Sequence, residues 1–235
     1  MSAARTIVPG RGLAGTGVVA IWHDLLPEAK PAFYEWHARE HMPERVAIPG
    51  FRRGRRYIAL EGAPEYFNLY EADTPEVLAG RDYLDRLDHP TPWTRESVAA
   101  FRNVARSICR VLYSAGSGQG GVMLTVQFDV DPARSDACAD ALAGSVLPPL
   151  SLRSGVSGIH LCRADQAASR IETAEKKARG QGTAVPDWAL LIEGIDAAAV
   201  KAAAALARPA MEASGAAGLV QAVYRFEHQR DRSGD

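Results

Sequence analysis

His37 and His41 stand four residues apart in the segment EAKPAFYEWHAREHMPER. In a helix that spacing sets both imidazoles on one face, and imidazole is the side chain best matched to moving a proton near neutral pH. Pro43 places His41 at the helix end, so His41 is the expected acid/base and His37 its support. Each also has a structural reading: His37 packed on Trp36 or a strand, and His41 bonded to the last carbonyls of its helix. The same residues spell H-x-x-E-H, the inverted zinc-peptidase pattern. Pro43 follows at once and no third ligand is evident downstream, so no metal is expected.

Further candidates lie on short β-like runs. Tyr66, Asn68 and Tyr70 alternate with Phe67 and Leu69, so one strand face suits helix packing while the other offers hydroxyl and amide groups to a cavity. Alternation sends Arg53, Arg55 and Tyr57 to one side of the next strand, and Arg52 and Arg56 to the other. One or two of these arginines could hold a substrate carboxylate or enolate, or they form a solvated edge paired with acids such as Glu44. We take Trp22, Arg55, Tyr57, Tyr66 and Asn68 as the substrate-binding set. Trp22 and His23 project to opposite faces, so at most one of them lines a cavity directly. His89, beside Trp93 in LDHPTPW, is a second candidate for the cavity mouth. His160 and Cys162 share a strand face, but no acid near them in sequence orients a nucleophile. No cofactor is expected: there is no Rossmann fingerprint, G-x-S-x-G elbow or phosphate loop, since GSGQGG lacks the strand-to-helix setting such a loop needs.

The elements that must position these residues come in two similar series. After a Gly-rich leader (residues 1–16), expected to be mobile, the pattern reads strand 17–25, helix 28–45 ended by Pro43, strands 53–60 and 65–71, a helix 75–101 and a strand 107–113. GSGQGG joins this to a second series: strand from 121, helix 133–147, strands 159–163 and 188–194, helix 197–214 and strand 219–226. Laying LPPLSLRSGVSGIHL over MPERVAIPGFRRGRR without gaps matches Pro148 to Pro43 and Gly155 to Gly50. Both halves read β-α-β-β-α-β, two tandem ferredoxin-like repeats spanning 17–115 and 121–228, the second interrupted by a charged insertion at 164–183. Leu142 and Val146 replace His37 and His41 in the second copy, which tilts the histidines toward function. A four-stranded sheet with helices on one face leaves its other face bare. Two such sheets are expected to cover each other around an interior ligand cavity.

At WHAREHMPERVAIPGFRRGRRY the first repeat resembles the EthD-like branch of the dimeric α+β barrel superfamily, through His41, Pro43, Pro49 and Gly50. The resemblance implies an α+β fold in which the two repeats form an intramolecular version of that barrel. It leaves function open, because relatives include cyclases, isomerases, cofactor-free monooxygenases, haem-binding enzymes and proteins of no known reaction. The first expectation is a cofactor-independent isomerase, cyclase or lyase acting on a small cyclic or aromatic oxygenated metabolite. The alternatives are a non-catalytic metabolite-binding protein and a haem-binding or cofactor-free monooxygenase.

Composition limits the partners. The 235 residues are 47% hydrophobic and 23% charged with a formal net charge of -1, which supplies no basic field for nucleic acid or an anionic membrane. The three cysteines form no C-x-x-C pair, so a disulfide framework is not expected. No apolar run reaches membrane-spanning length. A cytoplasmic protein with a small-molecule ligand, and with homodimerisation possible but not required, is the expectation.

Overall fold

The structure, a computed structural model, describes residues 12–232. Eight strands close into one antiparallel ring: β1 (Gly17–Leu25), β2 (Phe51–Glu61), β3 (Tyr66–Ala72) and β4 (Phe101–Gly116), then β5 (Val122–Val130), β6 (Val156–Ala164), β7 (Trp188–Gly194) and β8 (Ala216–Asp231). The order around the ring is β1-β3-β2-β8-β5-β7-β6-β4. Each half therefore contributes a sheet in the order 4-1-3-2, and the halves are stitched at two seams, β2 with β8 and β4 with β6. Closure leaves no unpaired sheet edge. β4 and β8 run to 16 residues each, longer than their sequence patterns suggest. Each pairs with a strand of its own half and then continues across a seam.

Helices cover the outside of the ring. In the first half a helix runs Lys30–Trp36, passes through a π-helical turn at His37–His41 and continues as Met42–Val46. Pro43 was expected to end this helix and does not. A proline ring clashes with the carbonyl four residues back, and the π turn relieves that conflict by passing the Met42 N–H to the His37 carbonyl, five residues away. The second half solves the same problem identically, with a π turn at Leu142–Val146 ahead of Leu147–Ser151 and its Pro148. Gly50 and Gly155, paired by the ungapped match, both sit at positive φ (87° and 83°). A Cβ there would press on Val77 and Ala199 respectively. The single helix expected over 75–101 is instead three short ones, Pro75–Leu78, Arg81–Asp88 and Pro92–Ala99, the first and last begun by a proline and the last also capped by the Thr91 side chain. Ala197–Ala213 covers the second sheet. The insertion folds as Gln166–Arg170 and Ala174–Ala178 and lies against the first half, where it exchanges backbone hydrogen bonds with β4 through Ala184.

The interior of the ring corrects an expectation. One apolar cluster draws on all eight strands, including Trp22, Tyr57, Phe67, Leu69, Met123, Cys162, Leu191 and Tyr224. It fills the space where a ligand cavity was expected. Trp22 packs tilted at 5.1 Å from Phe67, which meets Tyr57 and Tyr224 at 5.7 and 5.6 Å. An eight-stranded barrel is just wide enough to be filled by side chains, and four large aromatics fill this one. The expected mobile leader is corrected in part. Residues 1–11 lie outside the described residues, but Leu13 is buried in that interior cluster and Ala14 donates its N–H to Glu71 Oε2 at 2.6 Å. Among the described residues no helix is long and apolar enough to cross a membrane.

Candidate functional site

β-alternation divides the candidates between two environments. Trp22, Arg55 and Tyr57 face the barrel interior. Trp22 is wholly buried and donates its indole N–H to Thr125 at 3.1 Å, so it is a core residue there. Arg55 bridges the halves, 2.8 Å from Glu71 and 2.9 Å from Glu193. Burial alone would raise the Glu193 carboxyl, but Arg55 and His160 outweigh it and hold it at about 2. Glu71 is likewise held low against its burial by Arg55 and Arg53. Burial raises the Tyr57 hydroxyl, which finds no hydrogen-bond partner. The expected split of the arginines is present: Arg53 joins Arg55 on Glu71, Arg52 turns out to Asp73 and Arg56 to Glu227.

His160 meets Ser114, not Cys162. Its Nε2 lies 3.2 Å from Glu193 Oε1 and its Nδ1 2.9 Å from the Ser114 hydroxyl. This is the connectivity of a serine relay, but Ser114 Oγ also accepts the Leu13 N–H at 3.0 Å and Glu193 is spent on Arg55 and the Gly120 N–H. The network closes one end of the barrel. Burial lifts the Cys109 thiol to about 12 and Cys162 well above its usual value, so neither is an activated nucleophile.

The other candidates face outward, into the layer between the first sheet and its helices. His23, Tyr66, Asn68 and Tyr70 project there from β1 and β3, opposite His37 and His41 on the π turn. The faces of β3 separate as expected, but with sides exchanged: Phe67 and Leu69 pack inside the barrel, and the polar face meets the helices. His23 lies between the rings of Phe101 (4.1 Å) and Tyr66 (5.3 Å). Its Nδ1–H donates to the Asp24 carbonyl at 3.2 Å, so its Nε2 accepts from Asn68 Nδ2 at 2.9 Å. Arg56 donates to His37 Nδ1 at 3.3 Å. A guanidinium cannot accept, so His37 carries its proton on Nε2, 3.2 Å from the Tyr70 hydroxyl. His41 lies tilted against Trp36 at 4.3 Å and stacks on His37 at 5.6 Å, and its Nδ1 has no partner. All three imidazoles are held neutral. Burial is the largest cause in each case, taking His23 to about 3 and the other two well below 6.5. Arg56 adds to the effect on His37, and Arg45 and Arg179 to that on His41.

These groups enclose a cavity of about 20 Å³, lined by Ile21, Trp36, His37, His41, Asn68, Tyr70, Val98, Phe101, Glu175 and Arg179. That volume holds about one water. Arg179 and Glu175 come from the insertion, which closes the cavity on its open side. The sequence marks the insertion as charged, and that was the available signal; which of its charges turn inward depends on how it docks. His89 is exposed, donates its Nδ1–H to the Asp85 carbonyl at 2.9 Å, and is not among the residues that line the cavity. Tyr66 bonds to Tyr34 at 3.4 Å beside the cavity.

The H-x-x-E-H string does not assemble a metal-ligand set among the described residues. Glu40 of the H-x-x-E-H string accepts from Thr91 and Thr94 at 2.6 and 3.1 Å, and among the described residues no three His, Cys, Asp or Glu side chains converge. A haem needs an axial nitrogen and a slot for its macrocycle. His37 has both nitrogens engaged, and the cavity at His41 as it stands holds about one water.

No family model matches the sequence, and no curated protein matches it. Solved structures do. An anthrone oxidase-like protein shares 15% identity over 93% of both chains, with a TM-score of 0.65. A candidate monooxygenase from Fusobacterium nucleatum subsp. nucleatum shares 10% over 94% of this chain and 97% of its own, with a TM-score of 0.59. A candidate chlorite dismutase shares 10% over 90% and 94%, with a TM-score of 0.55. At such identities the likeness is one of fold, and that fold is the dimeric α+β barrel class, closed here within a single chain.

Proposed function

We propose that the chain binds a small aromatic molecule between the outer face of the first sheet and its helices, and oxidises it with molecular oxygen without a bound cofactor. The observation that carries this reading is the neutral, unpartnered Nδ1 of His41, set in a wall of Trp36, Phe101 and Tyr70. Neutral imidazole in a dry aromatic cleft can take a proton from an acidic C–H or phenolic O–H of a flat ring system. His37, fixed by Arg56 and Tyr70, holds the His41 ring by stacking, and Asn68 presents an unpartnered Oδ1 to the same space. For an activated methylene, loss of a proton leaves a carbanion. The carbanion adds oxygen, and the hydroperoxide so formed loses water to give a carbonyl: one methylene and one O2 become one C=O and one H2O. The monooxygenase and anthrone oxidase descriptions of similar folds support oxidation over the isomerase, cyclase or lyase chemistry first expected. The His41-x-Pro43 element keeps an EthD-like assignment within the same proposal. A ligand of this size enters only when the insertion lifts from the helices at 81–88 and 92–99.

Oxygen uptake with anthrone as probe tests the reading. One O2 consumed per quinone formed, lost in His41→Ala while the circular dichroism spectrum is unchanged, is the expected result. The water-sized cavity supports a second reading, binding without turnover. Retention of an aromatic ligand with no oxygen uptake would establish that reading instead and remove the oxidase.

A further inference from the structure

The insertion buries more positive charge than the described residues around it neutralise. Arg45, Arg106 and Arg179 are all buried and all face Glu175, the one buried carboxylate among them. Glu175 ion-pairs with Arg45 and with Arg179, the latter at 2.9 Å. Glu44 stands 3.7 Å from Arg45. Arg106 donates to the Tyr83 hydroxyl at 3.0 Å and, among the described residues, reaches no carboxylate within ion-pair distance. Buried guanidinium groups without matching anions are costly, and of the three Arg179 lines the cavity, beside Glu175. Arg179 Nε has no hydrogen-bond partner, and neither do His41 Nδ1 and Asn68 Oδ1, from the other residues of the same wall. Arg179 Nε donates, Asn68 Oδ1 accepts, and His41 Nδ1, the base proposed above, donates once it has taken a proton.

We infer that the insertion supplies an anion subsite in which Arg179 Nε and His41 Nδ1 receive an ionised oxygen attached to the aromatic ligand, a phenolate, enolate or carboxylate. The inference rests on the aromatic cleft proposed above and adds the charge of its occupant. The arrangement is consistent with the acid/base role. Once His41 has taken a proton from the ligand, its Nδ1–H faces the anion it created, and Arg179 stabilises that anion without a proton of its own being transferred. Glu175 holds a terminal nitrogen of Arg179 at 2.9 Å and also pairs with Arg45, which leaves the unpartnered Arg179 Nε for the ligand.

Binding of 4-nitrophenolate, followed by its visible absorption and by calorimetry at a pH where it is ionised, tests the subsite, with 4-nitroanisole as the neutral counterpart. Wild-type protein is expected to bind the phenolate more tightly than the ether. Arg179→Gln is expected to weaken the phenolate by about tenfold or more, the worth of a charge-assisted hydrogen bond, and to leave the ether unchanged. Arg179→Lys, which keeps the charge but loses the planar fork, gives a smaller loss, and decides the matter if the glutamine variant fails to fold. Equal affinity of wild type and both variants for the phenolate overturns the subsite while the cleft stands. Failure of both probes to bind wild type overturns the cleft and the subsite together. A single ordered water bridging Arg179, His41 and Asn68 that persists in the presence of saturating phenolate would likewise overturn it.

Discussion

Acidification from pH 7.5 to 5 should destabilise this fold through its buried histidines, well before its carboxylates titrate. His23 has its folded pKa lowered from 6.5 to about 3, because burial between Phe101 and Tyr66 strips the imidazolium of solvent. In the window between those values only the unfolded chain binds the proton. The stabilisation conferred by neutral His23 is complete above pH 6.5 and is lost progressively as pH falls toward 3. The loss from His23 alone is about 1.4 kcal/mol at pH 5.5 and about 2 kcal/mol at pH 5, with a limiting slope of about 1.4 kcal/mol per pH unit. His37 and His41 are shifted in the same direction for the same reason, so the three fully buried imidazoles together contribute a limiting slope approaching three protons, to which the less buried His228, also shifted down by burial, adds. Glu71, Glu175 and Glu193 are shifted down; their contribution is present above their unfolded value of 4.5 and is lost only below it. Urea unfolding at pH 5.0, 5.5, 6.0 and 7.5, at constant ionic strength and with constant m, isolates the histidines. His23→Gln should reduce the slope by one proton. A wild-type profile with a slope below one proton, or a His23→Gln profile parallel to wild type, would refute the reasoning from burial.

Arg55→Met leaves buried Glu71 with Arg53 as its one ion-pair partner and buried Glu193 with His160 and the Gly120 N–H, and should cost about 3–5 kcal/mol of unfolding free energy; adding Glu71→Gln and Glu193→Gln should restore much of the loss in the melting temperature, whereas no restoration would show that the arginine acts by packing alone. Trp22→Phe removes the hydrogen bond to Thr125 and opens space in the barrel interior, so it should cost about 1–3 kcal/mol. Aromatic-ligand affinity measured by calorimetry should be unchanged, and a large affinity loss would return Trp22 to the binding set. Glu175→Ala frees two buried guanidinium groups and should raise the rate of limited proteolysis within 165–187, with the barrel resistant; wild-type cleavage kinetics would argue against a latch at that contact.

How much of this was legible in the chain follows from the range over which each signal acts. Strand alternation, the Pro-Gly turns and the ungapped match of Pro43 with Pro148 are local, and they placed the elements, the doubled architecture and the partition of Tyr66, Asn68 and Tyr70 from Phe67 and Leu69. The i, i+4 spacing put His37 and His41 on one helix face. Alternation states that a strand has two faces without stating which one meets its helix, and this is where the interior cavity was misplaced: the volumes of Trp22, Tyr57, Phe67 and Tyr224, summed across strands distant in sequence, decide that the barrel is full. The π turn was obscured because Pro43 is a stop signal within one turn of helix, and only packing against β2 and β3 makes the wider turn cheaper than ending. Glu193 beside His160, Ser114 beside its other nitrogen, and Glu175 between Arg45 and Arg179 are contacts across 33, 46, and 130 and 4 residues of chain. Electrostatic partners of that kind are chosen by closure of the ring and docking of the insertion, so the residue types that could do chemistry belong to the sequence, while their protonation, their pairing and the cavity they share belong to the tertiary structure.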